Sequence, residues 1–90
     1  MPTLYVMDVP EFAPLVQAGR QANADVRAVG NYIELSSAAP RLVLQRRLAG
    51  GLRPAIWFAA LTAGFVGAIA RFDDEELWLD EEPELISDRA

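Results

Sequence analysis

Tyr32 and Glu34 stand two residues apart in a stretch with strand-like alternation, so their side chains share one face. A guanidinium from Arg46 or Arg47 on the next strand could reach that face. Phenol, carboxylate and guanidinium together can hold a small anion or an aromatic acid, with arginine gripping a carboxylate through two parallel hydrogen bonds. The same set could move a proton on a small aromatic or carbonyl compound. Glu34 or Asp73 would be the base, Tyr32 the donor, and Arg46 or Arg47 the anion holder. The plainer reading is an exposed cross-strand polar cluster, contributing roughly 0.2–1 kcal/mol per pair at most.

Other reagents are scarce. The 90 residues include no Cys, no His and no Lys. That removes thiol nucleophiles, disulfides and Cys-ligated metal centres. It also removes the commonest general base, Schiff-base chemistry and the phosphate-loop lysine. Any catalysis would use carboxylates, Tyr, Ser/Thr, Arg or backbone groups. Ser36-Ser37 has no base to activate it. Asp73-Asp74-Glu75-Glu76 lacks the spacing of a calcium loop and reads as a solvated cap. No metal site and no cofactor are expected.

Hydrophobic residues make up 52% of the chain and charged ones 23%. A small domain with that much apolar surface commonly has an oligomer interface or a ligand cavity. The uncharged run at 54–70, PAIWFAALTAGFVGAIA, is the obvious source. Trp57 and Phe58 would point to opposite faces of a strand. One then enters the core, and the other lines a dimer interface or pocket wall.

Charge is divided along the chain. Residues 1–72 hold seven Arg against four acids, net +3, and residues 73–90 hold one Arg against nine acids, net −8. The acidic end either solvates a hydrophobic domain or docks onto the Arg-bearing body. Overall charge is −5, which disfavours nucleic acid despite the cluster of Arg41, Arg46, Arg47 and Arg53. The first dozen residues carry Asp8 and Glu11 and lack a secretory pattern. Together with the lack of Cys this suggests a cytoplasmic protein.

These residues must be positioned by a few elements. Residues 3–8 read as a strand and 10–23 as an amphipathic helix, with Asn23 as its stop. Residues 26–36 read as one strand, with Gly30 at a bulge or close approach. Residues 41–48 fit either a strand or a helix ending at Gly50-Gly51, with the strand preferred. The uncharged run could be a membrane span, a buried helix or a hairpin. It falls short of the about 20 residues a span needs, and Gly64 and Gly67 would weaken a helix. The hairpin reading puts strands at 55–62 and 68–72, with a turn at 63–67. Asp73 with Glu76 resembles a capping box for a short helix through Leu79, and a strand at 77–79 is the alternative. The domain is expected over 1–82, with 83–90 as an acidic mobile tail.

The sum is an α+β domain: a single helix packed on an antiparallel β-meander, β-α-β-β-β-β. This order resembles that of cystatin-like folds, although no cystatin binding motif is present, and order alone carries no function. The expected function is a non-catalytic domain that self-associates as a homodimer or higher, and binds a small hydrophobic or aromatic molecule or serves as an interaction module. The candidate contact residues are Trp57, Phe58, Tyr32, Arg46 and Arg47. The alternative is a cofactor-free enzyme using Glu34, Tyr32 and Asp73. Neither nucleic acid nor a membrane is an expected partner.

Overall fold

The computed structural model describes residues 1–48, 50 and 52–81. Strand β1 spans Thr3–Met7. A 3-10 turn, Pro10–Phe12, leads into helix α1, Ala13–Gln21. Strands β2 (Asp25–Val29), β3 (Tyr32–Ser36) and β4 (Arg41–Gln45) follow. After a 3-10 turn at Arg46–Leu48 come a short helix α2, Pro54–Phe58, and strands β5 (Phe65–Val66), β6 (Ala68–Phe72) and β7 (Glu76–Asp80). The α+β class is as the sequence implies, with the long helix after the first strand and antiparallel strands beyond it.

The strands divide into two sheets, ordered β2-β3-β1-β5 (sheet A) and β4-β7-β6 (sheet B). Period-two alternation fixes which side of each is buried. In sheet A, Leu4 faces Leu35 and Val6 faces Ile33, and Val26 and Ala28 continue those rows on β2. In sheet B, Leu42 pairs with Leu79 and Leu44 with Leu77, all four fully buried. Burying each leucine contributes about 1.5–3 kcal/mol against leaving it in water. Helix α1 adds Leu15 and Ala18 to this core and lies against β2, β3 and β4. Pro14 sits in its first turn, where its missing N–H was unpaired anyway. The helix stops at Asn23, which takes the left-handed conformation (φ 63°), as the sequence implies.

Three local readings are corrected, and the preferred strand at 41–48 holds but is shorter. Residues 26–36 form two strands, because Gly30 (φ 60°) and Asn31 make a two-residue reversal between β2 and β3. Residues 55–62 form no strand. Pro54 opens helix α2, and the chain then runs through turns to Gly64. The strand at 68–72 exists, but its partner is β7. Residues 41–48 are strand to Gln45 and 3-10 turn thereafter. Of the two readings for residues after Asp73, the strand holds and the helix does not.

Gly67 joins the sheets. It lies between β5 in sheet A and β6 in sheet B, at φ 126°. A Cβ there would land on the Asp80 carbonyl oxygen, so only glycine lets these backbones meet. No described helix is long and apolar enough to cross a membrane. The acidic tail expected at 83–90 lies outside the described residues.

Candidate functional site

The face of sheet A opposite the core displays two adjacent rows. In the first, Tyr5, Glu34 and Arg27 stand side by side on β1, β3 and β2. The Tyr5 hydroxyl donates to Glu34 Oε2 at 2.9 Å, and Arg27 Nε lies 3.2 Å from Glu34 Oε1. The hydrogen bond to Glu34, then burial and the carboxylate charge, push the Tyr5 phenol above its usual pKa. A phenol–carboxylate–guanidinium set therefore exists, but Tyr5 and Arg27 supply the groups expected from Tyr32 and Arg46 or Arg47. Tyr32 shares the face with Glu34, as the spacing implies, and stands in the second row.

That second row is Met7, Tyr32 and Val29, exposed by 44%, 43% and 39%. Such a row of large side chains across three strands is an uncovered apolar strip. At the Met7 end it meets a cleft of ≈ 490 Å³ between the end of β1 and α1. Met7, Val9, Val16 and Ile33 give the cleft an apolar lining, and Asp8 and Arg20 contribute charge. Arg20 forms no ion pair among the described residues. It occupies the last turn of α1, which the helix dipole makes favourable for a cation.

Arg46 and Arg47 lie elsewhere, in a cavity of ≈ 500 Å³ with Leu52 and the acids Asp74, Glu75 and Glu76. Arg46 donates from Nη1 to the Asp74 carbonyl at 3.2 Å, and from its backbone N–H to the Glu75 carbonyl at 2.9 Å. The acids offset the cationic field there, so the cavity is a poor receptor for a carboxylate.

Asp73 occupies the β6–β7 turn, in a different sheet from Glu34 and Tyr32. Its carboxylate accepts from the backbone N–H groups of Glu76 and Glu75 at 2.9 and 2.8 Å and from Arg71 Nε at 2.6 Å. The Glu76 N–H, then Arg71, then the Glu75 N–H lower its pKa from 3.8 to about 2. The structure therefore does not bring Glu34, Tyr32 and Asp73 together. Among the described residues no three acids converge as metal ligands.

Trp57 and Phe58 do part company, although on a helix. Trp57 is fully buried, packs edge-on against Phe72 at 5.8 Å, and donates from Nε1 to the Asp73 carbonyl at 2.6 Å. It is thus part of the monomer core. Phe58 is half exposed and leans on Phe72 at 5.7 Å.

A second constellation was not singled out from the sequence. Trp78, on the outer face of sheet B, lies between the guanidinium groups of Arg41 (4.6 Å) and Arg71 (5.3 Å). Its Nε1 donates to Glu76 Oε1 at 2.6 Å. Asp80 neutralises Arg41, while Asp73, Glu75 and Glu76 surround Arg71. These saturated cations stack on the indole and have little left for a ligand. The alternation of Leu77 and Leu79 against Glu76, Trp78 and Asp80 was the available signal. Comparison with known proteins finds no family model, no curated protein and no solved structure that matches this chain, so function must be read from the geometry.

Proposed function

We propose that the protein is a non-catalytic, self-associating domain that binds a small hydrophobic or aromatic acid in the cleft between α1 and the end of β1. The observation that carries this reading is Arg20, a cation without an ion-pair partner among the described residues, at the edge of an apolar lining. Removing the body of a ligand from water against Met7, Val16 and Ile33 contributes roughly 25 cal/mol per Å². A guanidinium then orients a single acid group through charge-assisted hydrogen bonds. Asp8 shares the lining, which favours a monoanion over a dianion. The strip of Met7, Tyr32 and Val29 extends the apolar surface towards a larger aromatic group.

Proton transfer has weaker support. Glu34 is engaged by Tyr5 and Arg27, and Asp73 is held at a pKa far below the neutral range where a general base works best.

Backbone NMR titration with phenylacetate, and with neutral phenylacetamide as control, tests the cleft. Saturable shifts at Met7, Val16, Arg20 and Ile33 are expected. Arg20→Ala should weaken phenylacetate binding about tenfold, the equivalent of one charge-assisted contact, and leave the amide unchanged. Shifts scattered over the surface, or none up to millimolar ligand, would reject the site.

A further inference from the structure

We propose that a second copy of this chain adds to the free edge of β2, in a register chosen by Asp25 and Arg27. This rests on the reading that the domain self-associates, and names the surface that does it. Sheet A ends on β2, which has no neighbour beyond it among the described residues. Most of that strand is exposed.

Backbone phase follows from two bonds. The Asp8 N–H donates to the Asn31 carbonyl and the Ser37 N–H to the Pro2 carbonyl, both at 3.0 Å. Odd-numbered residues of the β3 segment therefore turn their backbone groups towards β1. Alternation turns Tyr32, Glu34 and Ser36 towards β2, where Val29, Arg27 and Asp25 receive them. The N–H and C=O groups of Val26 and Ala28 consequently point out of the sheet. The Ala24 N–H is already given to the Gly19 carbonyl, so Ala24 offers its carbonyl alone.

A two-fold axis pairs this edge with itself antiparallel, the isologous arrangement of a closed dimer. Only some registers keep core-facing side chains on the core side, because a one-residue slip reverses every side chain. Among those, centring on Arg27 sets arginine against arginine. Centring on Asp25 sets aspartate against aspartate. Centring on Val26 sets each Asp25 opposite the partner's Arg27, twice, with Val26 against the partner's Val26. It also aligns the outward groups of Ala24, Val26 and Ala28 with those of Ala28, Val26 and Ala24 across the axis.

The charges are available for this. Asp25 is exposed and in no ion pair among the described residues. Arg27 contacts Glu34 through Nε, and its side chain remains 72% exposed, so its terminal nitrogens can take a second carboxylate. Charges on an edge strand ordinarily repel other strands. Here their signs alternate, so they disfavour the neighbouring registers and favour one. The product joins two copies of sheet A into a single continuous sheet.

Sedimentation over a micromolar concentration series tests it by charge exchange, with circular dichroism and melting curves verifying each fold. Asp25→Arg and Arg27→Asp, each alone, should weaken self-association at least about tenfold, since both cross-strand pairs become repulsive. An equimolar mixture of the two should restore a one-to-one dimer. Ala28→Pro removes an outward N–H, leaves the β2–β3 ladder intact, and should also weaken the dimer. If Arg27→Asp unfolds through its contact with Glu34, Asp25→Arg and Ala28→Pro still decide. A dimer unchanged in all these variants overturns the edge assignment while self-association stands. A wild-type monomer throughout the series overturns both.

Discussion

At Asp73 an acid that looks reactive in the sequence turns out to be structural. The carboxylate closes the β6–β7 turn on two backbone N–H groups and holds Arg71, while the Asp73 carbonyl receives the buried indole N–H of Trp57. Its folded pKa, about 2, lies below the ordinary 3.8. Stability from the ionised group is therefore fully present above pH 4, and is lost as pH falls through about 2. Asp73→Ala should lower the melting temperature at pH 7, and the difference from wild type should close between about pH 4 and pH 2. Melting curves of both proteins from pH 7 to pH 1.5 measure this. A difference independent of pH would mean that the ionised carboxylate contributes nothing. Trp57 was equally opaque. Its place beside Phe58 predicts one ring in and one ring out, and the structure has that outcome. Nothing in the sequence pairs its indole with a carbonyl sixteen residues later.

The elements most legible in the sequence were those whose pattern has one interpretation. The run of β-formers at Thr3–Met7 makes a strand, and Asn23 ends a helix whose apolar residues recur at helical spacing. The failures came where short apolar runs suit either state. Ile56, Trp57 and Phe58 have high β-propensity, yet Pro54 presets a helical φ and the buried site for Trp57 settles the choice. Gly30-Asn31 is a hairpin signal in a strand-like context, and reading it as a bulge merged β2 with β3. A single strand over 26–36 puts Arg27 on the same strand as Glu34, which hides the cross-strand partnership that the hairpin creates. The sequence places Gly67 at the end of a turn over 63–67, whereas the fold sets it between β5 and β6 with its Cα against the Asp80 carbonyl of β7. Gly67→Ala should cost at least about 2 kcal/mol, from an L-residue at positive φ together with overpacking against backbone. Urea unfolding of the variant measures this. A loss below about 0.5 kcal/mol would show that the sheet junction can shift to admit a methyl group.

Over the whole molecule, the contrast between a basic body and an acidic end is partly resolved inside the fold. Asp73, Glu75 and Glu76 gather around Arg71, and Asp80 pairs with Arg41, so much of the acidic run is turn and strand. Those pairs are partly exposed and contribute little individually, which leaves the leucine core and the two sheets to hold the domain together. Strand β7 is anchored by β4 on one side and β6 on the other, and the Glu81 N–H closes on the Pro40 carbonyl at 2.9 Å. These contacts are complete before residue 83. Deleting residues 83–90 should therefore move the melting temperature little while altering solubility or self-association. Differential scanning calorimetry and sedimentation of the shortened chain measure the two effects separately. A fall of more than about 8 °C, equivalent to roughly 1 kcal/mol or more in a domain of this size, would mean that Leu85 and Ile86 contribute to packing. The contacts through Glu81 would then be insufficient to hold β7 in place.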